Sequence, residues 1–159
     1  MVTPDPADLA SAWPQSSVPT EEVSLDLPFE SDGLYSLRSS VAAHAGHLGA
    51  STQVIQRVLI VASELATNAV RHGGGRGRLR LWAVGGRLQC EVSDSGGGLA
   101  DMLAGTERPA PTAPGGRGLW ISRQLVDAFA IESGPNGTTA RFAIDLDGDT
   151  ADSPEDASA

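Results

Sequence analysis

"ELATNAVRHGG", residues 64–74, is the stretch whose reading decides the fold. Leu65 and Ala69 continue an apolar stripe that starts at Val54 and passes through Val58, Val61 and Ala62, so these residues close an amphipathic helix capped by Ser51 and ending near His72. Glu64, Asn68, Arg71 and His72 are not opposite that stripe. At about 100° per residue they fall on its border, which sets an acid and an amide one turn apart beside the buried face. Charges at helical spacing usually mark a solvated face. A border position followed at once by Gly73, Gly74 and Gly75 fits that account poorly.

Working outward, "VSLDLPF" (23–29) alternates Val23, Leu25, Leu27 and Phe29 with polar residues and reads as a strand that Pro28 confines to a sheet edge. A helix follows with Leu34, Leu37, Val41, Ala45 and Leu48 at helical spacing, Ser31 or Asp32 as its cap, and Gly46 and Gly49 near its end. Beyond the glycines, "RLRLWAV" (78–84) and "RLQCEVSD" (87–94) are strands joined at Gly85-Gly86, a strong two-residue hairpin signal. Leu88, Cys90 and Val92 share one side, and the same parity delivers Asp94 to the core layer, where a carboxylate must meet a donor. Residues 95–118, rich in Gly and Pro, form a long stretch without periodicity, the signature of a functional lid. "LWISRQLVDAF" (119–129) reads as a further helix with Leu119, Ser122, Val126 and Phe129 on one face. The chain closes through Ile131, a turn at 134–137, and a strand in which Thr138, Ala140, Phe142 and Ile144 share one parity.

Composition sets the outer limits. A chain of 159 residues that is 40% hydrophobic forms one ordinary core. Its net charge of -9 is uneven: residues 1–22 and 145–159 hold ten of the twenty acids and no base, whereas 23–144 holds ten acids against eleven arginines. The middle is nearly neutral, which argues against broad nucleic-acid binding. All eleven bases are Arg, and the lack of Lys excludes a P-loop. Cys90 stands alone, so neither a disulfide nor a multi-cysteine metal site is available. No apolar run approaches a membrane span and no leader opens the chain, so a cytoplasmic protein without membrane attachment is expected. Residues 1–21 and the acidic 147–159 lack the apolar content to order themselves and read as loose tails around an ordered domain at 22–146.

In chain order the unusual features are E-x-x-x-N near a helix end, D-x-G-x-G after a strand, G-x-G-L opening a helix after a long loop, and G-T opening a strand. In this order and spacing they resemble the asparagine box and two glycine boxes of the GHKL ATPase superfamily, and the short whole is most similar to its anti-sigma-factor serine kinase branch. The resemblance implies an α+β fold: a two-layer α/β sandwich of the Bergerat type, with a mixed, mostly antiparallel sheet, three helices on one face and a flexible ATP lid. It implies ATP and Mg²⁺ as cofactors. Asp94 would accept from the adenine amine, where guanine offers a carbonyl, with Thr138 near the same edge. Gly96 and Gly98 would let base and ribose approach the backbone. Gly116, Gly118 and Leu119 open a helix whose free amides suit phosphates, with Arg117 adding charge. Asn68 would hold Mg²⁺ through its amide oxygen, and Glu64 would act as the catalytic base on an incoming hydroxyl. Arg71 and His72 complete the candidate nucleotide contacts, His72 being as a rule a helix-end residue satisfied by backbone.

Such a protein would be a serine/threonine kinase that holds a sigma factor, phosphorylates an antagonist protein, or both, and would form a homodimer. Two alternatives remain open: a nucleotide-responsive binding module with little catalysis, and a detached ATPase domain serving a partner that presents His. His44 and His47 in "AAHAGHLG" lack the neighbours of a phosphoacceptor motif and read as plain helix residues. The chain is too short for the transducer domain of gyrase-like ATPases. Trp120 departs from the smaller residue usual after G-x-G-L.

Overall fold

The computed structural model describes residues 23–96 and 117–146. The tails, Gly98, Gly116, the Arg117 side chain and most of the expected lid lie outside the described residues. The chain runs β1 (Leu25–Glu30), a 3-10 turn (Ser31–Gly33), α1 (Leu34–His47), α2 (Thr52–His72), β2 (Arg76–Val84), β3 (Arg87–Ser93), α3 (Arg117–Gln124), β4 (Ala128–Gly134) and β5 (Gly137–Asp145). The strands form one open sheet in the order β1-β2-β3-β5-β4. Each of its four ladders is antiparallel. The expected two-layer α+β sandwich with three helices on one face is present, and β1 is the edge strand that Pro28 called for.

The inner face follows from alternation. Leu79 and Leu81 of β2, Leu88, Cys90 and Val92 of β3, and Ala140, Phe142 and Ile144 of β5 turn the same way, all at most 4% exposed. Against them α2 sets Val54, Val58, Val61, Ala62, Leu65, Ala66 and Ala69, and α1 sets Leu37, Val41 and Ala45. Each such Leu or Val contributes about 1.5–3 kcal/mol by leaving water. Val58, fully buried at the middle of the stripe, is where a single Asp substitution would break the layer. Burial, with the charge of Glu91 beside it, pushes the Cys90 thiol far up, so this side chain packs as a small hydrophobe. Helix α2 begins as expected, the Val54 amide donating to the Ser51 hydroxyl at 3.2 Å. Gly85 and Gly86 carry φ of 60° and 76°, the primed turn that holds Val84 opposite Arg87.

Two local expectations are corrected. Neither Ser31 nor Asp32 caps α1: they form the 3-10 turn, and the cap position is Gly33, with no side-chain bond. The helix expected over 119–129 stops at Gln124. Leu125 donates to the Ser122 carbonyl at 3.1 Å, tightening the last turn, and Asp127 then donates to the Ala143 carbonyl at 2.9 Å, where strand pairing takes over. Phe129, expected on the helix, faces Phe142 across β4 and β5. Apolar residues at 125, 126 and 129 satisfy either period over so short a run, and the ladder available on β5 decides.

Helix α3 is fixed to the inner layer by Leu119 and by Ser122, which is fully buried and donates to the Gly118 carbonyl at 2.8 Å. The Arg123 guanidinium lies 4.4 Å from the Phe129 ring centroid, and burial lowers its pKa. His44 on α1 meets the Ser24 hydroxyl at 3.0 Å, as a helix residue with a local partner. Among the described residues no helix is long and apolar enough to cross a membrane.

Candidate functional site

Beyond the last pair of the β3–β5 ladder, the Asp94 amide donates to the Thr138 carbonyl at 2.9 Å. This ties the start of the expected loop to the start of β5 and leaves the Asp94 side chain at the sheet's rim, on the inner side as parity predicts. Its Oδ1 accepts from the Gly96 amide at 3.0 Å and the Thr138 amide at 3.2 Å. Two backbone donors thus fix the carboxylate's rotation and satisfy one oxygen. The Thr138 hydroxyl is held in turn by Ser133 of β4, 2.7 Å away.

Glycines make this packing feasible. A methyl group on Gly73, just past the end of α2, would run into the Asp94 carboxyl, and one on Gly96 would stand 2.5 Å from the Gly73 Cα. The end of α2 and the turn after β3 touch backbone to backbone, which only glycine permits at both positions. At the far side, the start of α3 rests on α2: a methyl group on Gly118 would collide with the Glu64 carboxylate. Glu64 therefore lies under the first turn of α3 and does not open into the cleft.

Leu65, Asn68, Ala69 and His72 of α2, Val92 and Asp94 of β3, Leu119 of α3, Ile131 of β4, and Thr138 and Ala140 of β5 line one cleft. It is narrow: about 30 Å³ within it is free, room for a water or two, and it opens to solvent. Its floor is hydrocarbon and its polar groups converge from three sides, the composition of a site for a flat, mostly apolar ligand with a polar edge. Of the sequence-expected residues, Asn68, His72, Asp94, Leu119 and Thr138 are brought together here, whereas Gly96 packs on Gly73 and Gly118 on Glu64, beside the lining. Glu64 is adjacent, one turn before Asn68. Arg71 is exposed and outside the lining. Gly98 and Gly116, and the side chain of Arg117, lie outside the described residues.

Sequence reasoning missed Gly73, Ser133 and the apolar floor from Leu65, Val92 and Ile131. Gly73 carried a signal, since a glycine run directly after a polar helix border marks a close approach. Ser133 carried none, because β4 itself was not read as a full strand.

The chemistry of the lining fits an adenine nucleotide, for which the cleft has to widen. The fixed carboxylate turns its second oxygen toward Gly73 at the rim, and the hydrocarbon floor has the character a purine ring requires. Mg²⁺ has a weaker resident set: among the described residues no three His, Cys, Asp or Glu side chains cluster as ligands. Asn68 fits a metal held chiefly by phosphate and water.

A family model for the histidine kinase-like ATPase domain matches residues 27–144. No curated protein matches the sequence. Among solved structures, the RsbU and RsbW domains of Rv1364c from Mycobacterium tuberculosis superpose at a TM-score of 0.57 with 21% identity, covering 77% of this chain and 32% of that one. A blue-light activated histidine kinase from Erythrobacter litoralis, EL346, superposes at 0.52 with 21% identity, covering 76% and 43%. The chain thus spans less than half the length of either structure, and at this identity the likeness is one of fold.

Proposed function

We propose that this chain, which belongs to the histidine kinase-like ATPase family within the GHKL superfamily, binds Mg-ATP and transfers its terminal phosphoryl group to a serine or threonine of a small antagonist protein, as an anti-sigma kinase. The observation that carries the reading is the joining of Asp94, Thr138 and Asn68 in one cleft with Glu64 one turn away.

Asp94, its Oδ1 satisfied by two amides, offers Oδ2 to the adenine amine, and a fixed acceptor there discriminates against guanine. Leu65, Val92, Ile131 and Ala140 exclude water from the base. Gly118 and Leu119, at the start of α3, present backbone amides to the phosphates. Mg²⁺, when bound, would neutralise phosphate charge, with Asn68 as its protein ligand. Glu64 orients the incoming hydroxyl and takes its proton at a carboxylate oxygen. For that role the first turn of α3 must withdraw from Glu64, which links the lid's position to catalysis.

The fold likeness to a structure containing an RsbW domain supports the anti-sigma assignment. Sigma factor and antagonist are the partners of this reading, a homodimer its assembly and the cytoplasm its location. The covered position of Glu64 favours a second reading, a binding module that holds ATP to set its shape and catalyses little.

The deciding experiment incubates the chain with labelled ATP, Mg²⁺ and the small antagonist-like proteins encoded by the same genome. Label on serine or threonine is expected. Label on histidine would transfer the assignment to a detached histidine kinase domain, and binding without label would favour the module. In Glu64→Ala, nucleotide affinity is expected to stay within about twofold while transfer falls by about 10²-fold or more. Equal turnover would remove Glu64 as the base.

A further inference from the structure

The outer face of the sheet, away from the helices, holds a contradiction. Pairing across the strands sets Trp82, Gln89, Ala143 and Ala128 in one row on that face. They are 2%, 3%, 1% and 6% exposed. Every described helix packs on the inner face. Trp82 and the neighbouring arginines can screen a glutamine and two alanines, but the indole itself belongs to neither hydrophobic cluster of the described residues.

We propose that this face is a docking surface for the chain's own N-terminal segment, residues 1–22, seated on Trp82. The point of entry supports it. The Ser24 amide donates to the Leu81 carbonyl at 2.9 Å, so the segment meets the sheet beside the Trp82 row. An extended chain of that length reaches about 70 Å, against about 20 Å across five strands. Its residues suit the surface: Leu9, Trp13 and Val18 supply hydrocarbon for the indole, and the four prolines favour an extended path. Charge is complementary as well. The adjoining row sets two arginines, Arg80 and Arg141, 31% and 29% exposed, against the single Glu91, an excess of one positive charge, while Arg78 is paired with Asp26. The segment brings Asp5, Asp8, Glu21 and Glu22 and no base.

The competing segments fit less well. Residues 147–159 leave the sheet at the same end but offer only alanines and one proline as apolar residues. Residues 97–116 depart from and return to the opposite end, beside Asp94 and Gly118. The proposal replaces the expectation, drawn from composition alone, that the N-terminal segment is a loose tail. It is independent of the nucleotide reading.

The test places a photoreactive benzoylphenylalanine at Val84 of the full chain, an exposed position one pair beyond Trp82 on the same face. Irradiation of dilute protein is expected to give an intrachain cross-link to a peptide within residues 1–22. A cross-link between two chains would make a second copy the occupant. Cross-linking to 97–116 or 147–159, or none at all, would likewise overturn the proposal. A second measurement follows acrylamide quenching of Trp82 in a full-length Trp13→Phe, Trp120→Phe chain. Adding Leu9→Asp and Val18→Asp is expected to raise the quenching constant about threefold by releasing the segment. An unchanged constant would overturn it as well.

Discussion

Glu91 and Asp94 lie three residues apart and serve opposite faces of the sheet. Glu91 is 2% exposed on the outer face, one oxygen accepting from Arg80 and the other from Arg141 at 2.7 Å. The guanidiniums balance its charge and occupy both oxygens, leaving it nothing to offer a ligand. Among the described residues Asp94 meets neutral donors only, two backbone amides on a single oxygen, with a bare glycine before the other. A carboxylate compensated on every side is a staple, whereas one oriented but left incomplete is a site.

The sharpest way to break this comparison is to exchange the expected losses. Glu91→Ala leaves two arginines without their anion and is expected to cost about 3 kcal/mol, the low end for opening a buried pair because both guanidiniums reach solvent. ATP affinity by calorimetry should hold within about twofold. A variant that melts normally would refute the structural role. Asp94→Asn inverts the pattern: nucleotide affinity is expected to fall about 30-fold, near 2 kcal/mol, while the melting temperature moves by only a few degrees. Unchanged affinity would contradict the adenine assignment.

Gly73→Ala sharpens it further. The added methyl would push the Asp94 carboxyl out of place and meet the Ala69 carbonyl at 2.6 Å. Both folding stability and ATP-binding free energy should weaken, each by about 1–2 kcal/mol. The smallest effect belongs to Asp26, bonded by Arg78 at 2.6 and 2.5 Å on the exposed rim. The Arg78 hydrogen bonds hold its pKa below 3.8. The pair therefore stabilises the fold above that value and is lost as pH falls through the lowered one. Asp26→Asn should lower the melting temperature at neutral pH by about a degree or less, and the difference should vanish in acid.

What the sequence made legible follows the same division. Parity along β3 placed Asp94, and the stripe on α2 placed Glu64 and Asn68 on its border, because both positions are governed by the period of a single element. The Arg80, Glu91 and Arg141 trio escaped notice, since its meaning lies in register across three strands and β5 was paired with β3 only by the fold. The onset of β4 escaped for a related reason: Leu125, Val126 and Phe129 satisfy a helix until a ladder on Ala143 claims the backbone. The glycines were legible as flexible punctuation but not as contact surfaces, because a missing side chain acquires its meaning only from the neighbour that fills the space.

The Gly85-Gly86 hairpin fixes one more property. It marks the end of the sheet where β1 begins and β5 finishes, with Leu146 donating to the Gly86 carbonyl at 2.8 Å, a full strand's length from the rim bearing Asp94. The first and last described residues thus lie away from the ligand end. The architecture is that of a cartridge, loaded at one end and wired at the other.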